Sequence, residues 1–204
     1  MAQVRTQVVA PKHAALRFVK LLPAALCLLA AHPAFAQEQP ALRHWYVDVG
    51  GGINWLDQES GHPQPADVGY RLRLAGGYQL SPRWGLELET GYLRNAFPAT
   101  DERPDSTLHQ VPLLLNLVHT FPNRTPWKPY VGAGLGALFE SSEGAADDSG
   151  GDVGWQLLVG LRYALDEGKS VGLDYRFIMM GAASALGEET VGDDSLLLYL
   201  RLSP

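Results

Sequence analysis

Residues 45–55, WYVDVGGGINW, show the pattern that decides the fold. Trp45, Val47 and Trp55 belong to an alternating set of apolar or glycine positions, whereas the intervening set includes Asp48. Successive side chains of a β-strand point to opposite faces of a sheet, so an alternation with period two indicates a strand. This segment is therefore predicted to be a strand with one apolar face and one polar face.

The same alternation recurs in seven further segments. They cover residues 70–80, 84–92, 110–117, 130–139, 153–163, 171–179 and 196–202. Most are about ten residues long, the length that a tilted strand needs to cross a bilayer. Single-chain bacterial barrels have an even number of strands, and closure leaves no unpaired edge in lipid. The sequence predicts an all-β protein, an eight-stranded antiparallel transmembrane up-and-down barrel.

The charged residues of these segments lie on the polar faces. They are Asp48, Arg71, Arg73, Glu87, Glu89, Arg162, Asp174, Arg176 and Arg201. An exported soluble β-barrel, the alternative fold, would instead turn its charges to water. Because buried charges must pair and the interior of so small a barrel is filled by side chains, we expect a lumen ion-pair network. Glu87 and Glu89 should lie near the two arginines of the second strand, and Asp174 should lie diagonal to Arg162.

Aromatic residues cluster near the ends of the segments. Trp and Tyr at such positions are typical of the membrane–water interface. The residues expected to form these interface belts are Trp45, Trp55, Tyr70, Trp84, Trp127, Trp155 and Tyr163.

The connections between segments alternate in length. Residues 81–83, 121–126 and 166–169 are short and fit periplasmic turns. Residues 57–69, 98–106, 140–152 and 181–194 are longer, are acidic and should face outward. Their carboxylates keep the segments soluble. Weak binding of divalent cations and attraction of cationic surface partners are two further roles compatible with these carboxylates. No metal site with recognisable spacing is present in the sequence.

The first 36 residues have the order of a secretory signal peptide. Four basic residues precede residue 21, an apolar run covers residues 21–31, and Ala34-Phe35-Ala36 supplies an A-x-A cleavage site. We expect cleavage after Ala36 and a barrel domain over residues 37–204. The exported part would lose Cys27 and would carry 12 basic against 22 acidic residues, a net charge of −10. This charge argues against nucleic acid as a partner.

Three stretches resemble the outer-membrane β-barrel domain family, the OmpA/Opa-like small eight-stranded barrels. They are VPLLLNL at residues 111–117, KPYVGAGLG at 128–136 and GLDYRF at 172–177, and the resemblance extends over residues 42–202. It implies an integral protein of the cell outer membrane in contact with lipid and lipopolysaccharide. The chain departs from the family in its ending, LRLSP at residues 200–204, which lacks the terminal aromatic residue.

Three functions are compatible with these features. The first is a non-enzymatic structural or surface-interaction barrel, expected to be monomeric, with no cofactor and no catalytic residue. The second is a small porin-like channel for ions or small solutes. The third is a lipid A-modifying enzyme, but none of His44, His62, His109 and His119 begins the His-x-Ser pattern of the barrel deacylases. His62 does lie close to Glu59 and Ser60, a combination that occurs in polar loops by chance.

Overall fold

The structure is a computed structural model, and it describes residues 44–56, 68–99, 105–143, 148–180 and 192–203. The expected signal peptide and its cleavage site lie outside these ranges, as do Glu59, Ser60 and His62. No helix in the described part of the chain has the length and apolar character needed to cross a membrane.

Eight strands form one closed barrel. They are β1 (Trp45–Leu56), β2 (Gly69–Gln79), β3 (Trp84–Phe97), β4 (Ser106–Thr120), β5 (Trp127–Glu143), β6 (Asp148–Asp166), β7 (Lys169–Met180) and β8 (Gly192–Leu202). Each strand pairs antiparallel with its neighbours in sequence, and β1 pairs with β8 to close the barrel. The predicted fold class and strand order are confirmed.

The register shows how strongly the strands tilt. Stepping from Trp45 to its partner on each successive strand returns to β1 at Trp55, ten residues further along the same strand. A stagger of this kind is what closes a tilted sheet into a barrel. Two residues that are equally far along their own strands therefore lie at different heights along the barrel axis.

The connections at one end of the barrel are short, as predicted. Ser81 Oγ accepts hydrogen bonds from the backbone N–H of Arg83 and Trp84, and Asn123 Oδ1 accepts one from Thr125. Gly168 has φ +87°, a left-handed conformation that suits glycine, and a Cβ there would lie 2.4 Å from the carbonyl oxygen of Ser203. We call this the short-turn end and the opposite end the outer end.

Parts of two predicted outer loops are strand. β5 continues to Glu143 and β6 begins at Asp148, so the prediction of a loop over residues 140–152 was wrong for most of its length. β8 begins at Gly192, which places Asp193 and Asp194 in a strand as well. At these ends the side chains need no apolar–polar alternation, but the backbone hydrogen bonds between strands continue. The alternation in the sequence therefore ends before the strands do.

These extensions make the outer rim uneven. β4 and β5 pair as far as Thr107 opposite Glu143, whereas β6 and β7 pair only as far as Gly154 opposite Met180 in the described ranges. The taller part, which we call the outer wall, consists of residues 95–97, 106–110, 139–143 and 148–153. Its side chains include the carboxylates of Glu140, Glu143 and Asp152.

The barrel exposes its large apolar side chains and buries its charges. Leu72, Leu88 and Leu135 are 55%, 55% and 68% exposed on the outside, whereas Arg71 and Asp48 inside are fully buried. This is the reverse of a soluble protein and is the distribution of a barrel with lipid around it. The lumen also contains apolar residues that the alternation did not single out, namely Leu93, Leu138, Leu158, Ile178 and Leu197.

Candidate functional site: the charged lumen

Four charged side chains form a closed ring across the lumen. Arg201 donates from Nε and Nη2 to the two carboxylate oxygens of Asp48, each at 2.7 Å, and also from Nη2 to Glu87 Oε1 at 2.7 Å. Arg73 donates to Glu87 at 2.9 Å and to Asp48 at 3.2 Å. The ring has two acids and two bases and is neutral overall. We call these four residues the ring.

The ring follows from the register. Asp48 and Arg201 are direct partners across β1 and β8, and both point inward. Glu87 and Arg73 are on neighbouring strands, with Glu87 opposite Gly77 and Arg73 opposite Gly91. The hairpin therefore places an acid and a base on one face within reach of each other. Burial makes this pairing obligatory because an unpaired charge inside the barrel is strongly destabilising.

Glu89 joins the ring to a second group of charges. It accepts hydrogen bonds from Arg71 at 2.9 Å, from Asn116 at 2.8 Å and from Arg176. Its Oε2 also lies 3.5 Å from Nε of Arg73, a member of the ring. Three arginines from two strands thus converge on one fully buried carboxylate. Glu89 is the centre of the lumen network.

Asp174 neutralises the remaining charge of Arg176. The two side chains form a forked pair, with Nη2 donating at 2.9 Å and Nε at 3.2 Å. The phenol of Tyr130 donates a further hydrogen bond of 2.9 Å to Asp174. Carboxylates that accept several charge-assisted hydrogen bonds are the kind of buried group that a protein interior tolerates.

Three tyrosines fill the space between these charges, and each lies against a glycine. Tyr46, Tyr130 and Tyr199 are the direct cross-strand partners of Gly77, Gly160 and Gly172 respectively. A Cβ on any of these glycines would come within 2.5 Å of the tyrosine ring. The glycines of the inward face therefore provide room for rings from the neighbouring strand. Packing of an aromatic residue over a cross-strand glycine also stabilises the pair.

The tyrosine rings also contact the arginines. The guanidinium of Arg201 lies 3.6 Å from the centroid of the Tyr46 ring, and that of Arg73 lies 5.2 Å from the Tyr199 ring. Tyr46 in turn donates a 3.0 Å hydrogen bond to Glu87. Cation–π contacts gain strength when both partners are shielded from water. In the sequence, only the inward parity of the tyrosines points to these contacts, and the predicted lumen network did not include them.

Toward the outer end the network continues through Ser195, Asp193 and two asparagines. Arg71 donates to Ser195 Oγ at 3.1 Å, and Ser195 donates to Asp193 at 2.8 Å. Asn54 donates to Asp193 and to Asn95, each at 2.7 Å. Near these groups an apolar cluster of Leu114, Leu138 and Ile178 also fills the lumen. The interior thus contains both a polar network and an apolar plug.

The expected buried network of Arg, Asp and Glu is present, with one change in its membership. Eight of the nine charged residues expected in the lumen are buried and joined by ion pairs. Arg162 is half-buried, and its guanidinium lies 5.7 Å from the centroid of the Tyr130 ring. Arg162 does lie diagonal to Asp174 in the register, but it makes no ion pair with any described residue. Asp174 is occupied by Arg176 and Tyr130 instead.

The aromatic residues expected at the membrane interface lie near the two ends of the barrel. At the short-turn end, ring centroids are 4.7 Å apart for Trp45 and Tyr78, 4.6 Å for Trp84 and His119 and 4.7 Å for Trp127 and Tyr163. At the outer end, they are 6.4 Å apart for Trp55 and Tyr175, 6.1 Å for Tyr70 and Tyr92 and 5.7 Å for Trp155 and Phe177. Each of these pairs joins two strands and contains one or two of the aromatic residues predicted from the sequence.

Two histidines, His109 and His119, lie apart from the lumen network. His109, at the outer end, contacts the phenol oxygen of Tyr92 at 2.5 Å and lies 3.7 Å from Glu143. His119, at the short-turn end, packs between the rings of Trp84 and Phe121. In the part of the chain that the structure describes, no three His, Cys, Asp or Glu residues are arranged to hold a metal ion.

A closed barrel with an apolar outer surface and a charged, filled interior defines a small integral β-barrel protein of the outer membrane. The sequence matches the family described as outer membrane protein beta-barrel domain over residues 22–198. The chain belongs to this family, and the expected family and location in the outer membrane are confirmed. The comparison with curated proteins gives no significant match.

Several solved structures have a similar fold. Neisserial surface protein A (NspA) is 21% identical with a TM-score of 0.60, over 78% of this chain and 96% of that chain. Ail, the attachment invasion locus protein of Yersinia pestis, was solved in complex with the heparin analogue sucrose octasulfate; it is 16% identical with a TM-score of 0.49, over 78% and 99%. The outer membrane enzyme PagL is 18% identical with a TM-score of 0.47, over 76% and 98%. At 21% identity, the similarity to NspA shows the fold and assigns no activity.

Proposed function

We propose that this protein is a non-enzymatic, monomeric outer-membrane barrel with a closed lumen and a structural or surface-interaction role. The observation that carries the proposal is the ring of Asp48, Arg73, Glu87 and Arg201, which extends across the lumen from β8 to β3 and is neutral. Ions crossing such a ring would have to break paired, desolvated charges. The apolar cluster of Leu114, Leu138 and Ile178 adds a second obstruction.

Planar-bilayer conductance of the refolded protein tests the closed lumen. Wild-type protein that is heat-modifiable on gels, and therefore folded, is expected to give no discrete current steps. Replacing Arg73 and Glu87 together with alanine removes half of the ring without leaving a net charge, and this variant is expected to conduct more than wild type. The control variant is Arg124→Ala, which removes an exposed arginine in the turn between β4 and β5. Discrete steps from wild-type protein would replace the proposal with a small channel for ions or solutes.

A direct assay tests the absence of enzymatic activity. Folded protein is incubated with lipid A in detergent, and the products are measured by mass spectrometry. No loss or gain of an acyl chain is expected, because the carboxylates of the lumen are already paired with arginines and do not reach the lipid-facing surface. A lipid A product of altered acylation that is absent with heat-denatured protein would make the protein an enzyme.

The surface-interaction role is proposed to use the acidic outer wall. Glu140, Glu143 and Asp152 lie on strands that stand above the rest of the rim, where cationic partners or divalent cations would meet them. Glu143 is exposed, whereas Glu140 and Asp152 are half-buried and Glu140 accepts a 2.8 Å hydrogen bond from Gln110. Binding of an oligolysine peptide at low salt should weaken in a variant with all three replaced by their amides. A variant with Asp166→Asn and Glu167→Gln at the short-turn end is the control. Equal binding by the two variants would contradict this role for the wall.

Export is proposed to depend on residues 1–36, with cleavage after Ala36. The N-terminal sequence of protein purified from outer membranes would then begin at Gln37. A different N-terminus would move the boundary of the barrel domain without changing the barrel itself.

A further inference from the structure

Arg94 is an exception to the apolar outer surface. The alternation in the sequence ends at Tyr92, but β3 continues to Phe97 and carries Arg94 on the lipid-facing side, where it is exposed. One other Lys or Arg faces outward among the described strand residues. It is Lys169, which lies beside a short turn and forms an ion pair with Asp166. Arg94 is therefore the one Lys or Arg that the described strands place on the outside near the outer end.

The neighbours of Arg94 place it at the outer aromatic belt. Its direct partners are Tyr70 on β2 and His109 on β4. Tyr92, two residues earlier on the same face, has its ring 6.1 Å from that of Tyr70 and contacts His109 through its phenol. Because Trp and Tyr belts mark the level of the lipid headgroups, Arg94 lies at or just beyond that level.

The guanidinium of Arg94 makes no hydrogen bond or ion pair with any residue that the structure describes. This separates it from the buried arginines of the lumen, which are all paired. A lipid-facing arginine at the interface is stable when its side chain reaches an anionic headgroup. Arg is the residue best suited to a phosphate because its planar fork donates two parallel hydrogen bonds.

We propose that Arg94, with Tyr70 and Tyr92 beside it, binds a phosphate group of lipid A in the outer leaflet. The long, acidic connections place this end of the barrel outside the cell, where the leaflet consists of phosphorylated lipopolysaccharide. The outer wall is acidic, and Glu143 lies 3.7 Å from His109, the cross-strand partner of Arg94, so a basic residue here favours one bound phosphate over a general anionic surface. The inference does not depend on whether the lumen is closed.

The test is a titration of the refolded protein in non-ionic detergent with bisphosphorylated lipid A, with bound lipid counted by native mass spectrometry. Arg94→Ala should weaken binding about tenfold, the effect expected for losing charge-assisted hydrogen bonds. Arg94→Lys should retain part of the affinity. Arg124→Ala removes the same charge at the opposite end of the barrel and should bind as wild type does. Because Arg94 is exposed, the variant should fold, and heat-modifiable mobility on gels checks that it has.

Three results would overturn the proposal. Lipid A affinity unchanged in folded Arg94→Ala would mean that Arg94 does not contact the phosphate. Equal binding of dephosphorylated lipid A would mean that the acyl chains alone account for the affinity. Equal binding of phosphatidylglycerol, with the same loss in Arg94→Ala, would assign the site to any phospholipid headgroup instead of lipid A.

Discussion

Arg201 on the last strand and Asp48 on the first form a forked ion pair, with both hydrogen bonds at 2.7 Å and both side chains buried. The two residues are also direct partners in the register of β1 and β8. The seam where the chain closes on itself is therefore joined by a charged pair as well as by backbone hydrogen bonds.

Breaking this pair should destabilise the barrel strongly. Asp48→Ala leaves Arg201 buried with part of its charge unpaired, so we expect a loss of about 3–5 kcal/mol in the free energy of unfolding. Urea unfolding in lipid vesicles, followed by tryptophan fluorescence, measures it. Arg201→Lys should also destabilise the barrel because a lysine cannot make the forked contact. A loss no larger than that of Arg124→Ala would show that the seam does not depend on the pair.

Two adjacent glycines should respond differently to alanine. A Cβ at Gly77 would lie 2.2 Å from the ring of Tyr46, whereas a Cβ at Gly76, on the lipid side, would meet nothing within 4 Å. Gly77→Ala should therefore cost about 1–3 kcal/mol by overpacking the lumen. Gly76→Ala should be neutral or stabilising, since alanine restricts the unfolded chain. Urea unfolding in lipid vesicles measures both effects. Equal effects at the two sites would refute the tyrosine–glycine packing.

Glu89 and Arg162 should differ in importance although both are charged residues on the inward face. Glu89 accepts hydrogen bonds from two arginines and is buried, so Glu89→Ala should destabilise by about 3–5 kcal/mol. Arg162 lies over the ring of Tyr130 and makes no ion pair with a described residue, so Arg162→Ala should cost about 1 kcal/mol. A larger effect at Arg162 than at Glu89 would mean that the network is centred elsewhere.

The lipid-facing surface should tolerate charge according to depth. Leu88 is exposed near the middle of β3, and Leu165 is exposed beside the turn between β6 and β7. Leu88→Arg should cost about 2–4 kcal/mol in a bilayer and Leu165→Arg about 0–1 kcal/mol. Unfolding in vesicles tests the difference, and a detergent micelle should reduce it. If both variants were equally stable in vesicles, the apolar face would not be in contact with lipid.

Much of the lumen chemistry could be predicted because parity is a local property of the chain. Glu87 and Glu89 fall on the inward face of β3 whatever the rest of the barrel does, and a short turn sets them beside the arginines of β2. The partners across the lumen could not be predicted in this way. Arg176 contacts Glu89 from 87 positions away in sequence, and only closure with a defined stagger brings them together.

The ends of β5 and β6 and the positions of Arg94 and Arg162 could not be predicted from the local pattern either. The alternation marks the part of a strand that lies in lipid, so it did not indicate that β5 and β6 continue above the membrane or that Arg94 belongs to β3. Arg162 has the parity of a lumen charge, yet the structure places its guanidinium over Tyr130 because Arg176 occupies Asp174.

The sequence by itself determined the number and order of the strands and the face on which the charges of the alternating segments lie, because side chains alternate along a strand with a fixed period. The tertiary structure alone decided which charges pair across the lumen, which tyrosine lies over which glycine and how far each strand continues beyond the membrane. These features depend on the stagger and closure of the whole barrel, and no single segment contains that information.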